Sequence, residues 1–198
     1  MYALAKSDRG RAGKLARDVL AHTQYYAPVV VTEAAQIRFD EARTATTAEL
    51  AQLCKELIPI LEGNIARFDN DEGTAPPVET YAMKVGLLGI CNELLGNVGA
   101  AEGCYSRGLQ ANPENEGLLV ARGILLYGSG PRAIVDLERA VQLRATVIWP
   151  YLFLAHHFLI TSRFGVCRAI CETGLAMRGE LLDSEFVPDW HCSLSLVR

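Results

Sequence analysis

Cys167 and Cys171 stand one helical turn apart, and His156 and His157 precede them by about a dozen residues. Thiolate sulfur and imidazole nitrogen are zinc ligands, and an i, i+4 pair on a helix is a usable half-site. The same two positions, however, match places where earlier segments carry Ala101 and Tyr105, then Ala133 and Leu137. Residues at such places pack helix against helix, so the expected role is packing and no metal is expected. Asp69-Asn70-Asp71-Glu72-Gly73 opens like a calcium loop but holds Gly73 at its fifth position and Thr80 at its twelfth, where Asp or Asn and then Glu are needed. A solvated acidic turn is the better reading. His191-Cys192 places two donors too close for well-formed ligation, and the solitary His22 reads as structural. No nucleophile elbow, HExxH or Gly-rich phosphate loop occurs, since Gly128-Ser129-Gly130 falls at a turn between helices. The expectation is a protein with no catalytic residues, no cofactor and no enzymatic activity.

The elements that would position these residues repeat. Three segments share a small opener, a second residue four later and a third three beyond that: Ala101, Tyr105, Gly108; Ala133, Leu137, Ala140; Cys167, Cys171, Gly174. Each triad lies on one stripe of a helix. The openers are 32 and then 34 residues apart, the period of a helical-hairpin array. A turn lies shortly before each opener, at Leu95-Gly96-Asn97, Tyr127-Gly128-Ser129 and Thr161-Ser162-Arg163, and twelve residues before the opener stands Gly89, Ala121 or Ala155, small enough for the partner helix to approach closely. The pattern predicts first helices over about 82–95, 116–127 and 148–161, and second helices over 99–111, 131–143 and 165–177. Pro131 suits a first helical turn and Pro113 a helix end.

These residues resemble the tetratricopeptide repeat family, and Asn112-Pro113-Glu114-Asn115 is similar to its inter-repeat linker. The resemblance implies an all-α fold, an α–α superhelix of antiparallel helix pairs. Three complete repeats would occupy 81–181. It further implies a protein–protein interaction scaffold whose first helices line a concave groove. Transferred by register, the groove residues are Met83, Gly86, Ile90 and Glu93, then Asn115, Leu118 and Arg122, then Trp149, Leu152 and His156. Family members that clamp a terminal carboxylate use Lys, Arg and Asn there. Only Asn115 and Arg122 are of that kind, so the expected surface is mostly apolar, with Trp149 as an anchor for a peptide or an amphipathic partner helix.

Residues 1–61 read as divergent repeats. Ser7-Asp8 leads into Ala12, Ala16 and Val19, the turn and second helix of a repeat whose first helix is cut short. A helix follows over about Val29 to Phe39. Another is capped by Thr47 and runs to Leu61, with Pro59 expected to kink or end it. Residues 62–80 read as a loop, and 182–198 as a partial helix opened by Pro188-Asp189. Neither end carries a clear polar cap, so self-association through the ends is expected, or membership of a longer protein. In that second reading the array is a regulatory or substrate-positioning part of a multidomain enzyme such as a glycosyltransferase, kinase or cyclase.

A formal charge of −4 and a sequence pI near 5.6 argue against a general nucleic-acid binder. The basic run Lys6, Arg9, Arg11, Lys14 and Arg17 is broken by Asp8 and Asp18 and reads as a solvated helix face. No signal-like apolar core is visible at the start, and Val147–Ile160 is shorter than the roughly 20 residues of a membrane helix. The six cysteines, all but Cys192 within expected helices, point to a reducing, cytoplasmic location.

Overall fold

The computed structural model describes residues 8–42, 45–69 and 78–176, and all regular structure within them is helical. In chain order the helices are α1 (Arg9–Ala21), α2 (Pro28–Ala42), α3 (Thr47–Asp69), α4 (Val78–Leu94) and α5 (Val98–Ala111). They continue with α6 (Glu116–Leu125), α7 (Pro131–Gln142), α8 (Trp149–Ile160) and α9 (Phe164–Ala176), and a 3₁₀ turn spans Thr23–Tyr25. Two compact units divide the chain after Pro113. The half-helix expected at Met1–Lys6, residues 70–77 of the acidic loop, and the segment with Pro188, Trp190 and His191-Cys192 lie outside the described residues.

In the first unit α1 starts where Asp8 Oδ1 accepts a hydrogen bond from the Arg11 backbone N–H at 3.0 Å. Ala12, Ala16 and Val19 repeat at helical spacing and bury against Val31, Ala34 and Ile37 of α2. Helix α3 is opened by Thr46 rather than by the expected Thr47. The Thr46 hydroxyl accepts from the Glu49 N–H at 3.3 Å, and the Thr46 N–H donates to the Glu49 carboxylate at 2.9 Å, a reciprocal capping box.

Pro59 was expected to kink or end α3, with a loop from residue 62; instead the helix runs through it to Asp69. Pro59 sits on the exposed side, while Leu57, Leu61 and Ile65, spaced by four, bury against Val85 and Leu88 of α4. Burying three large side chains contributes about 1.5–3 kcal/mol each, which exceeds the roughly 3 kcal/mol cost of one helical proline. The chain therefore remains one core from α2 to α4 across a stretch expected to be a linker, and the break between units falls at Pro113.

The hairpins α4–α5, α6–α7 and α8–α9 match the expected pairs closely. The first and third turns share one geometry. Gly96 has φ +77°, with the Asn97 N–H reaching back to the Asn92 carbonyl at 2.9 Å. At the third turn Ser162 takes the same left-handed position, φ +59°, and the Arg163 N–H donates to the Phe158 carbonyl at 2.8 Å. Both are Schellman closures, which satisfy late helix carbonyls.

Candidate functional site

The opener triads turn the hairpins into rigid supports. Ala101, Tyr105 and Gly108 are buried, and the Tyr105 ring occupies the space a side chain on Gly89 would need. Ala133, Leu137 and Ala140 are likewise buried. There the close approach falls on Gly123, not on the expected Ala121: a Cβ on Gly123 would lie 2.7 Å from Leu137 Cγ. In α8–α9 the Cys167 thiol donates to the Ala155 carbonyl at 3.3 Å, and Cys167 packs on the cluster of Leu137, Leu154 and Phe158. Cys171, expected to pack, is exposed instead, on a side of α9 that no described helix covers.

Of the residues placed in the groove by register, several hold the hairpins together. Arg122 is buried and forms a two-point pair with Asp136 of α7, Nε to Oδ2 at 2.7 Å and Nη2 to Oδ1 at 2.8 Å. Asn115 caps α6, its Oδ1 accepting from the Leu118 N–H at 3.0 Å. Leu118 is buried, and Trp149, the expected anchor, is only 8% exposed, with an indole N–H that finds no acceptor. Ile90 packs against the α3–α4 core. Glu93 accepts the Tyr105 hydroxyl at 2.7 Å, and burial raises its carboxyl to about 7, an effect the hydrogen bond opposes. The same burial, reinforced by Glu93, pushes the Tyr105 phenol up.

Three of the expected residues do reach solvent: Met83 at 39% exposure, Leu152 at 46%, and His156, whose Nδ1 lies 2.7 Å from the Tyr127 hydroxyl. Leu152 belongs to a stripe not singled out from the sequence. Ile148, which caps α8, and Leu152, Ala155 and Leu159 on it follow i, i+4, i+7, i+11 spacing; Ala155 is half-buried and Leu159 is 54% exposed. The opposite side of α8 buries Tyr151, Leu154 and Phe158. A helix apolar all round hides this division, because hydropathy alone gives its two faces equal weight. Leu152 and Leu159 could have been found by subtracting the positions that pair with α9, Ala155 among them. No group of three or more metal-ligating side chains occurs among the described residues.

Paired helices of this length, packed through small residues, make the described residues an all-α array of helical hairpins similar to tetratricopeptide repeats. No protein-family model matches it. A stretch of 101 residues, 48% of the chain, is 30% identical to protein CTR9 homolog of Arabidopsis thaliana and spans 9% of that protein's length. Among solved structures, the crystal structure of MamA protein aligns over 90% of this chain and 98% of its own at 14% identity, with a TM-score of 0.47. Among the described residues no helix is long and apolar enough to cross a membrane.

Proposed function

We propose that the chain is a non-enzymatic protein-interaction scaffold and that its α8 stripe receives an amphipathic helix of a protein partner. The observation that carries this reading is the exposure of Ile148, Leu152 and Leu159, with half-buried Ala155 between them, along a helix whose other side is held by the hairpin core. An apolar stripe at that spacing is the complement of a partner helix with anchors at i, i+3/i+4 and i+7. Leu152 supplies area and His156 a polar contact at its margin. Met83 offers a smaller apolar contact in the first unit. Asn115, Leu118, Arg122, Trp149, Ile90 and Glu93 serve from behind, by fixing the helices that carry the contacts. The partner is a protein, not nucleic acid, given the acidic balance of the chain.

The test is affinity capture on immobilised protein, with cross-linking to locate the bound segment, for wild type and for Leu152→Glu combined with Leu159→Glu. Both substituted positions are exposed, so folding is expected to survive, as circular dichroism will show. The expected result is a helical segment cross-linked near α8 and lost from the variant. Capture of the same protein in equal amount by the folded variant would remove α8 as the site. The match to a small part of a much longer relative favours a second reading, in which the array serves as a regulatory segment of a larger protein. Sizing the native gene product separates the two. Self-association is the third outcome, read as a mass that rises with concentration in light scattering.

A further inference from the structure

Cys167 and Cys171 stand one turn apart on α9 and take no part in the α8 stripe. The Cys167 thiol donates to the Ala155 carbonyl at 3.3 Å, and the Cys171 thiol shares a hydrogen bond with Cys167. This relay, from Cys171 through Cys167 to the backbone of α8, holds the two sulfurs side by side. Cys167 is half-buried on the cluster of Leu137, Leu154 and Phe158, whereas Cys171 is exposed. The pair thus has one anchored sulfur and one that solvent reaches. Cys54 and Cys91 are also hydrogen-bonded neighbours, but both are fully buried, so a dissolved ion has no route to them in the folded chain.

Helix geometry decides what can join these sulfurs. Side chains one turn apart have Cβ atoms about 5–6 Å apart. A disulfide needs about 3.5–4.5 Å, so α9 would have to distort to close one. One bridging ion suits the wider spacing: two metal–sulfur bonds of about 2.3 Å, end to end, hold the sulfurs roughly 4.6 Å apart. Zinc would require further protein donors. The histidines of α8 do not supply them, since His156 Nδ1 lies 2.7 Å from the Tyr127 hydroxyl and no three metal-ligating side chains converge among the described residues. Two soft thiolates without other donors suit copper(I). We propose that Cys167 and Cys171 bind one copper(I) ion as a two-coordinate bis-thiolate on the uncovered side of α9. Two Cu–S bonds form and two S–H bonds break, their protons passing to water. Neither copper nor sulfur changes oxidation state.

The test is an anaerobic titration of the full, reduced chain with copper(I) in competition with bicinchoninate, whose colour reports the copper it retains. Wild type is expected to take one ion per chain, and X-ray absorption to show two sulfur neighbours and no nitrogen. Cys171→Ser changes an exposed side chain, so the fold is expected to survive, as circular dichroism will show. Losing an outer-shell partner already weakens metal binding by about 10–100-fold, so losing one of two ligands should cost about a hundredfold or more. Cys192→Ser is expected to bind like wild type. No capture against bicinchoninate, or equal capture by folded Cys171→Ser, would overturn the proposal. Zinc held by the same pair as firmly as copper(I) would overturn the two-coordinate assignment. The pair and the α8 stripe rest on different side chains, so either reading can fail alone.

Discussion

Glu93 ionises against the interface between α4 and α5, and burial there holds its carboxyl at about 7 against an ordinary 4.5. The native state thus binds the proton more tightly than the unfolded chain. Stability from this group is complete below about pH 4.5 and falls as pH rises through 7, by on the order of 3 kcal/mol in all at ~1.4 kcal/mol per unit. Glu93→Gln keeps an acceptor for the Tyr105 hydroxyl and cannot ionise. Urea unfolding at pH 5 and pH 8 is expected to show a smaller fall for the variant than for wild type. Equal falls would assign the pH dependence elsewhere. Arg122 and Asp136 make a second residue-scale prediction. Arg122→Met leaves a buried carboxylate without its partner and should cost about 3–5 kcal/mol, whereas Arg122→Met with Asp136→Leu should recover most of that loss. Both pairs show why register transfer located Glu93 and Arg122 but missed their role. Sequence fixes a residue's helix face; the reach of a long side chain to Tyr105 or Asp136 depends on the neighbouring helix. Trp149 was ambiguous for the same reason, since an aromatic on an apolar helix suits an open anchor and a covered one equally. Its burial now predicts that Trp149→Ala costs about 3–5 kcal/mol in stability, before any effect on binding.

At the scale of the element, three hairpins were readable because small residues and turns recur at fixed intervals, and both signals are local. Helix α3 outruns its local stop signal because its continuation is not local: Leu61 and Ile65 are held by Val85 and Leu88, some twenty residues further along. Proline is a strong local signal, but here it costs less than the packing it interrupts. The turns give the sharpest test. Gly96 and Gly128 occupy left-handed positions at φ +77° and +84°, where glycine pays no steric penalty, and Ser162 occupies one at φ +59°. Ser162→Gly therefore removes strain at the α8–α9 turn and is expected to stabilise the chain by about 0.5–1 kcal/mol, after the greater backbone freedom of glycine when unfolded is deducted. Equilibrium denaturation measures it. A destabilised variant would mean that the Ser162 side chain holds the turn in a way its backbone angle does not reveal.

For the whole molecule, the division after Pro113 and the separate cores make a statement about cooperativity. Leu137, Leu154 and Phe158 form one buried cluster, whereas Leu57, Leu61 and Val85 belong to another, and the two share no residue. In helical-repeat chains stability is close to a sum of repeat and nearest-neighbour terms, so damage to one hairpin spreads to those it touches and fades beyond. Leu137→Ala removes a fully buried side chain that packs on Gly123 and should cost about 2–5 kcal/mol. Hydrogen exchange read by mass spectrometry is expected to rise in α6, α7 and α8, while protection of α3 and α4 stays near that of wild type. Equal loss of protection in both units would show that they unfold as one. That outcome would also change how the α8 stripe is tested, because a surface substitution in one unit could then act on a site in the other through the common unfolding equilibrium. Exchange on Leu137→Ala therefore belongs before the binding variants, since it decides whether a lost interaction can be read as a lost contact.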